Sequence, residues 1–477
     1  MMKHIFKCAM VAAATAAILV SCKPAQPEGK AIYIPREFDT VDFSNPESVY
    51  SYDRMAYTDD IVVFWQKGFG KELTNVPALE GTDMNVDLER ILNKTQSFYN
   101  FFKDTMKFIL PGSKADTFRM MVMLNYSLEG TAYGGDYDGK IGALWVTPLR
   151  LRDEKLNCIA HELGHSFQAQ LVIDNGSRTG EGAIYEMTSQ WMLWQVNPDW
   201  ITDENYHWVD FMKQTHFAFM HHANIYHSPY VLEYWSDKHG VEFIANLWRA
   251  FTPEEDVVST YKRITGINQE QFNAEMYDAA TKFMTYDMPR VREHAKPYAN
   301  KHTSAMNKQL NGWYKIDASR TPQNYGYNGI ELEVPAPGKT VTVEFEGLVK
   351  EVPSIYQGVA GWRYGLVAVP KSGAPIYTEM VSDTKGKVSY TAPAGEELAH
   401  LWLVVLGAPS EHENKAFRRP DPKDFVPDSE LSHEEIAPSA GGPEDQKTIR
   451  RRRTPKPTAE YPFRIKVTNS KPICEIK

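Results

Sequence analysis

Residues 153–171 read DEKLNCIAHELGHSFQAQL, and this stretch decides the fold class that we expect for the first part of the chain. Its apolar residues recur every three or four positions, which is the spacing of an amphipathic α-helix. They are Leu156, Ile159, Ala160, Leu163 and Phe167. No proline interrupts the pattern, and a short apolar run that ends at Val146 precedes it. The sequence therefore predicts a helix that follows closely after a buried strand.

The residues around this helix predict a mixed sheet. Three apolar runs of strand length precede it, at Ile61–Trp65, 118–128 and Ile141–Val146. Residues 84–108 show helical spacing, with Asp83 in position to cap the helix. Helical spacing then dominates residues 154–299. Strands that are followed by a long helical region predict an α+β domain over residues 51–305.

The last third of the chain has a different pattern. Residues 330–334 and 341–345 alternate apolar and polar side chains, which is the period of a strand with one buried face. Several such runs, separated by proline and glycine, predict an antiparallel β-sandwich domain over residues 306–477. Residues 408–460 interrupt it with many Pro, Ser, Glu and Asp residues and an arginine run, so we expect a disordered or loosely attached insertion there.

The composition excludes several classes of protein. The 477 residues carry 52 Lys and Arg against 61 Asp and Glu, a formal net charge of −9, so nothing indicates nucleic-acid binding, which requires a basic excess. No apolar run of about 18 residues follows the N-terminus, so we expect no internal membrane span. Aromatic residues make up 12% of the chain, which suits large cores and surfaces that bind extended polymers.

The first residues predict export and lipid attachment. A basic start and a short apolar stretch lead to the sequence LVSC at 19–22, which resembles the cleavage site of a bacterial lipoprotein. We therefore expect residues 1–21 to be a lipoprotein signal peptide, Cys22 to carry the lipid, and residues 22–50 to be a lipidated tether. Lys23 favours the outer membrane, with the protein facing either the periplasm or the cell surface.

Two other cysteines, Cys158 and Cys474, belong to the mature chain. A disulfide between them is possible in an oxidising compartment. Because Cys158 lies on the predicted buried helix, a packed thiol is the favoured state.

The helix carries the pattern His-Glu-x-x-His at residues 161–165. His161 and His165 are four positions apart, so both imidazoles lie on one helix face and can reach one metal ion. Glu162 stands beside that ion, where it can take a proton from a bound water. Zinc suits this set because it accepts histidine nitrogen, leaves a position open and lowers the pKa of bound water towards about 7. The pattern therefore predicts Zn²⁺-dependent hydrolysis with Glu162 as the catalytic base.

The third metal ligand decides the class of site. The long form of the pattern requires glycine at 168 and histidine at 171, but the chain has Gln168 and Leu171. The remaining candidates are Glu186 and Glu181. Glu186 lies inside the next predicted helix, where an unpaired carboxylate is costly and a metal ion removes that cost. Glu181 stands between two glycines at the helix start, where it can act as an ordinary capping charge.

With Glu186, the set resembles the gluzincin class of zinc metallopeptidases. In that class the ligand glutamate is followed by a small residue and then by an aspartate that orients one histidine, and here Ser189 and Gln190 occupy those places. Gln190 can still bond an imidazole but brings no charge. The segments HELGHSFQ and YEMTSQWMLWQ also resemble an uncharacterised family of metallopeptidase-like lipoproteins of Gram-negative bacteria. The resemblance implies a zincin-like domain and favours Glu186, although the Gly-Glu-Gly-Ala run around Glu181 is similar to another gluzincin subgroup.

The expected activity is hydrolysis of peptide bonds in a peptide, protein or glycoprotein substrate. A hydrogen-bond donor beside the zinc would stabilise the oxyanion, and the candidates are Tyr226, His227, Tyr230 and Tyr234. Residues 141–146 are a candidate sheet edge for holding an extended peptide. The alternative function is a surface lipoprotein that binds glycan or glycoprotein and keeps an inactive zincin-like domain. A purely structural ion is a third, less favoured hypothesis.

Overall fold

The structure, a computed structural model, describes residues 29–415 and 457–473. The predicted signal peptide, Cys22 and the start of the tether lie outside these residues, as do Cys474 and most of the predicted insertion. The described part of the predicted tether packs on the protein body, because Ile32, Phe43 and Tyr50 are buried in its core. None of the described helices is long and apolar enough to cross a membrane.

A five-stranded mixed sheet forms the centre of the first part. Its strands are β1 (Met55–Tyr57), β2 (Ile61–Trp65), β3 (Met120–Leu124), β4 (Tyr133–Tyr137) and β5 (Ile141–Val146). They are ordered β1-β2-β3-β5-β4; the three central strands are parallel, and each edge strand is antiparallel to its neighbour. The strands predicted at 61–65 and 141–146 are confirmed, and the strand predicted within 118–128 is shorter than expected.

The sequence does not predict β4, because Gly134, Gly135 and Gly139 together indicate a turn. Only Gly139 has a turn conformation that favours glycine, with φ of 62°, whereas Gly134 and Gly135 lie inside the strand. Since β4 covers the side of β5, residues 141–146 form an interior strand. The expectation that they form the sheet edge is therefore wrong, and the edge belongs to β4.

One α-helix lies between β2 and β3, and the other described α-helices follow β5, as predicted. The described α-helices are α1 (Leu88–Asn100), α2 (Asn157–Asn175), α3 (Ala183–Val196), α4 (Trp200–Asp203), α5 (Asn205–Gln214), α6 (Tyr230–His239), α7 (Phe243–Ala250), α8 (Val257–Thr265), α9 (Gln269–Phe283) and α10 (Arg292–Ala295). The predicted N-cap of α1 is wrong. The Asp87 carboxylate caps it by accepting a hydrogen bond from the Arg90 amide at 3.0 Å, while Asp83 bonds Asn85.

Two antiparallel sheets follow the helices. Their strands are β6 (Met306–Lys308), β7 (Trp313–Ile316), β8 (Tyr327–Leu332), β9 (Thr340–Gly347), β10 (Trp362–Pro370), β11 (Ile376–Tyr377), β12 (Lys385–Thr391), β13 (Leu398–Gly407) and β14 (Phe463–Thr468). One sheet has the order β11-β10-β13-β8 and the other β12-β9-β14-β7-β6. Leu403 of the first sheet and Phe345 and Phe463 of the second share one core. The chain is thus a mixed α+β body followed by paired antiparallel sheets.

The four-stranded sheet also packs against the helices with its other face. Val367 of β10 and Trp402 of β13 belong to the helical core. The two parts of the chain therefore share buried residues, and the domain boundary predicted between residues 305 and 306 stays a prediction. The described start of the predicted insertion, residues 408–415, is held in place. His412 Nε2 lies 2.7 Å from the buried Asp256 carboxylate, so this part is not loosely attached.

Candidate metal centre

Helices α2 and α3 bring three predicted side chains together. The Nε2 atoms of His161 and His165, one turn apart on α2, lie 3.2 Å from each other. Glu186 reaches them from α3, where its Oε2 lies 3.2 Å from the His161 Nε2 and 3.1 Å from the His165 Nε2. The three atoms form a nearly equilateral triangle, and the Glu162 carboxylate completes a cluster of ligand atoms within 4.8 Å of the two imidazoles.

The size of this triangle fits a zinc ion. Zinc binds histidine nitrogen and carboxylate oxygen at roughly 2.0–2.2 Å, so two ligand atoms of a tetrahedral site are about 3.3 Å apart. The sides of the triangle measure 3.1, 3.2 and 3.2 Å. Two nitrogens and one oxygen are also the donor set that leaves zinc a free position. The residues therefore fit one ion without a movement of either helix.

Two glutamine amides orient the histidines. The Nδ1 atoms of His161 and His165 each lie 3.2 Å from an amide oxygen, that of Gln190 and that of Gln168 respectively. The amide nitrogen of Gln190 donates to the backbone carbonyl of Tyr226 at 3.2 Å, and that of Gln168 donates to the backbone carbonyl of Tyr185 at 2.9 Å. Since the nitrogen of each amide faces a carbonyl, the oxygen of each amide faces the imidazole. Because an amide oxygen only accepts, each Nδ1 carries a proton, which leaves each Nε2 as the nitrogen that can bind a metal ion.

His207, on α5, extends this network behind Gln190. Its Nε2 lies 3.0 Å from the Gln190 amide nitrogen, and its Nδ1 lies 2.7 Å from Nδ1 of His227. The ring is buried and stacks on Trp200. No sequence pattern marks His207, because its role depends on a contact between α3 and α5 that periodicity does not encode.

Small residues allow the elements around the centre to approach closely. A Cβ added at Gly164 of α2 would lie 3.3 Å from the Cα of Ser189 on α3, so only glycine fits there without a shift. The Ser189 hydroxyl donates to the backbone carbonyl of His161. A Cβ at Gly134 of β4 would lie 2.6 Å from the Cβ of His165. Strand β4 and helix α3 therefore both lie directly against the part of α2 that carries the histidines.

Burial and charge shape the protonation of the site. Burial raises the pKa of Glu162 above its ordinary value, and this effect exceeds the opposite influence of the two histidines. Burial also opposes ionisation of Glu186, but hydrogen bonds and charge from His161 and His165 lower its pKa far below the ordinary range. Glu186 is thus held as a carboxylate, whereas burial favours the protonated form of Glu162 more than water does.

The centre lies in a cleft of about 620 Å³. One side is formed by residues 131–134, at and before the start of β4, and the other side includes Tyr226. The Tyr226 ring centroid is 6.2 Å from that of His161. Burial, with the charge and hydrogen bonding of Glu186, raises the pKa of Tyr226 to about 12, so its hydroxyl remains a hydrogen-bond donor at neutral pH.

Of the four candidate hydrogen-bond donors, Tyr226 lines the cleft and the other three make contacts elsewhere. His227 bonds His207, Tyr230 is fully buried in the helical core, and the Tyr234 hydroxyl donates to Asp278 at 2.8 Å. None of these three is among the described residues that line the cleft.

Glu181 does not approach the centre, nor does it cap α3. Its carboxylate accepts a hydrogen bond at 3.0 Å from the backbone amide of Val257, at the start of α8. Cys158 lines the cleft as a free thiol, and burial raises its pKa to about 12. Its predicted alternative partner, Cys474, lies outside the described residues.

A comparison with protein families places most of the chain in one group. A family model described as a family of unknown function, DUF6055, matches residues 24–425. The chain belongs to this family. Neither a curated protein nor a solved structure matches the chain. The family's description names no activity, so the resemblance to gluzincins stays a prediction.

Proposed function

We propose that the protein is a zinc metallopeptidase of gluzincin type, in which His161, His165 and Glu186 hold one zinc ion and Glu162 is the catalytic base. The observation that carries the proposal is the triangle of ligand atoms, with sides of 3.1, 3.2 and 3.2 Å. The position of the antiparallel edge strand β4 directly beside α2 supports the zincin-like fold that the resemblance implies.

The residues of the cleft have roles that suit hydrolysis. A bound zinc ion supplies a Lewis acid that polarises a carbonyl and lowers the pKa of water. Glu162, with its raised pKa, suits a group that accepts a proton and then returns it to the leaving amine. The Tyr226 hydroxyl suits a donor to the oxygen that gains negative charge.

The outer edge of β4 is the place where we expect the peptide to bind. Among the described strands β4 pairs with β5 alone, so the main-chain groups on its other side are available to an added strand. Tyr133, at the start of β4, is 59% exposed and lines the cleft. An extended peptide on β4 would therefore pass directly over His165, beside which Gly134 lies.

The test is cleavage of a mixed peptide library by the zinc-loaded protein and its Glu162→Gln variant. We expect Glu162→Gln to keep one bound zinc and to lose cleavage by roughly 100-fold or more, because positioned proton transfer contributes that much. Glu154→Gln is the matched control, since Glu154 is exposed and lies outside the cleft lining. Persistent cleavage by Glu162→Gln, or no cleavage by the zinc-loaded wild type, contradicts the proposal.

The same variant distinguishes the proposed peptidase from the alternative function. A glycan- or glycoprotein-binding lipoprotein with an inactive centre would bind its ligand equally well before and after Glu162→Gln, and neither protein would cleave a peptide. Binding that is unchanged by the substitution, together with absent hydrolysis, therefore favours the alternative.

We also propose that lipid on Cys22 anchors the mature chain in the outer membrane after residues 1–21 are removed, as the sequence predicts. Metabolic labelling with a clickable fatty acid tests this proposal. The wild type should take up the label and Cys22→Ser should not, whereas equal labelling of both proteins contradicts it.

A further inference from the structure

We propose that Arg150 recognises a carboxylate of the substrate, so that the preferred peptides carry an acidic side chain or a free C-terminus near the scissile bond. This inference rests on the proposed peptidase function, and it assigns that function a class of substrate.

The position of Arg150 places a cation at one end of the cleft. Arg150 ends the 3₁₀ turn Pro148–Arg150 that follows β5, and it lines the cleft together with Cys158 and Tyr206. Its Nε donates to the backbone carbonyl of Gly130, close to the start of β4. The proposed peptide edge thus begins beside this guanidinium.

The charge of Arg150 has no acidic partner in the described protein. No carboxylate oxygen of the described residues lies within 4.0 Å of its guanidinium nitrogens, and the side chain is exposed. With Nε held by a carbonyl, the two terminal nitrogens remain for a ligand. Two parallel N–H groups match the two oxygens of a carboxylate, which is the strongest common form of this hydrogen bond.

Of the three described acidic residues that line the cleft, Glu162 is the proposed base and forms no ion pair with Arg150, and the other two are bonded elsewhere. Glu186 bonds both histidines, and Glu204 accepts a hydrogen bond from the Trp200 indole at 3.0 Å and lies 3.5 Å from His207. Among the described residues that line the cleft, Arg150 is the only lysine or arginine. A peptide carboxylate that enters the cleft therefore finds one arginine that forms no ion pair with a described carboxylate.

Arg150 lies in the same cleft as the proposed base. Cys158, which lines the cleft with it, precedes Glu162 by one turn of α2. A ligand bound to Arg150 therefore occupies the cleft that holds the reacting groups.

The experiment measures peptide binding in the Glu162→Gln background, where hydrolysis does not interfere. Fluorescence anisotropy is recorded for labelled octapeptides in which one Glu is moved through each position, for the same peptides with Gln, and for a neutral peptide with a free or an amidated C-terminus. Arg150→Gln is compared with Arg152→Gln, an exposed arginine that pairs with Asp83 outside the cleft lining. Thermal unfolding checks that each variant is folded.

We expect the Glu peptides at one or two positions, or the free C-terminus, to bind about tenfold more tightly than their neutral counterparts. Arg150→Gln should remove this preference, Arg150→Lys should retain part of it, and Arg152→Gln should leave it intact. The two arms of the peptide set show whether a side chain or the C-terminus supplies the carboxylate.

Two results would overturn the inference: equal binding of acidic and neutral peptides, and a preference that survives Arg150→Gln. Either result leaves the proposed function standing if the zinc-loaded wild type still cleaves the library. Loss of cleavage altogether refutes the proposed function instead, so the two failures are distinguishable.

Discussion

At the residue scale, two amide side chains decide how the histidines face the cleft. Gln190 and Gln168 accept from the Nδ1 atoms of His161 and His165, so both Nε2 atoms are presented on the same side. An aspartate at 190 would make a stronger, charged hydrogen bond to the imidazole. The neutral amide of Gln190 orients the His161 ring without adding a charge. His207, which bonds the amide nitrogen, keeps the amide oxygen directed towards His161.

We predict that Gln190→Ala weakens zinc binding by about 10- to 100-fold, the range typical of groups that orient a ligand histidine. The measurement is competition with a fluorescent zinc chelator at neutral pH. Gln195→Ala is the matched control, because Gln195 lies on the same helix and bonds the buried Glu233 at 2.7 Å instead of a histidine. An affinity for Gln190→Ala within twofold of that of Gln195→Ala would show that the amide does not orient His161.

The residues that sequence spacing could identify are those on regular helices. His161, Glu162 and His165 follow from one helical turn, and Glu186 was a candidate because a carboxylate within an apolar helix needs a partner. Tyr226 was one of four equal candidates, since it lies in a loop whose path is set by distant contacts. His207 and Arg150 were missed because neither belongs to a local pattern, and only the packing of α5 and of the turn after β5 brings them to the cleft.

At the scale of elements, the distance between α2 and α3 determines whether Glu186 can reach the histidines. Gly164 and Ser189 are the contact that sets this distance, and a side chain at 164 would collide with Ser189. The packing of two helices thus sets the dimensions of the triangle.

We predict that Gly164→Ala lowers the free energy of unfolding by about 1–3 kcal/mol, because an extra methyl group in a close-packed contact forces a shift. It should also weaken zinc binding, since α3 carries Glu186. Urea unfolding and zinc titration provide the measurements. Gly182→Ala is the control, because a Cβ there meets no atom within 4 Å. Equal stability and zinc affinity of the two variants would contradict the argument from spacing.

Glu181 makes the stability of the contact at the start of α8 depend on pH. Its carboxylate accepts from the amide of Val257 at the start of α8, while burial and the neighbouring charge of Asp256 raise its pKa to about 7. The unfolded chain has a glutamate pKa of about 4.3. Between these two pH values Glu181 binds more protons in the folded protein than in the unfolded chain. The contribution of Glu181 to stability is therefore present below about pH 4.3 and is lost as the pH rises through about 7.

We predict that Glu181→Gln is more stable than the wild type at pH 8, by roughly 1–3 kcal/mol, and about equal at pH 4.5. A glutamine oxygen can still accept from Val257, and the cost of a buried charge is removed. The measurement is urea unfolding across this pH range, with the exposed Glu254→Gln as control. A constant difference between Glu181→Gln and the wild type at all pH values would refute this assignment of the pKa.

Element boundaries show what the sequence could not supply. The parallel strands β2 and β5 are continuous apolar runs, and both were predicted at their observed bounds. Strand β4 was missed because its glycines resemble a turn, whereas in the structure Gly134 is needed for the close approach to α2. The predicted start of α1 is four residues too early. Asp83 and Asp87 are equally suitable N-cap residues by sequence alone, and tertiary packing determines that Asp87 is the cap.

At the scale of the whole molecule, β13 of the four-stranded sheet contributes side chains to two cores. Leu403 of β13 faces the second sheet, while the neighbouring Trp402 faces the helices and donates to the Asn300 side chain at 3.0 Å. Successive residues of one strand point to opposite faces, so β13 belongs to two cores. The paired antiparallel sheets therefore support the helical body that carries α2 and α3.

We predict that Trp402→Ala lowers the free energy of unfolding by about 3–5 kcal/mol, because the residue is fully buried. The loss should affect the helical body as well as the paired sheets, so differential scanning calorimetry should show a transition that moves as a whole. Ile355→Ala, at an exposed position, should change stability by less than about 0.5 kcal/mol. A helical body that melts at an unchanged temperature in Trp402→Ala would contradict the shared core.

The central claim is that His161, His165 and Glu186 hold a single zinc ion. Anomalous diffraction at the zinc absorption edge, from crystals of the zinc-loaded protein, tests it most directly. The account predicts one peak at roughly 2.0–2.2 Å from the His161 Nε2, the His165 Nε2 and a Glu186 carboxylate oxygen. A map without a peak between the two histidines, or with a peak whose ligands do not include Glu186, would contradict it.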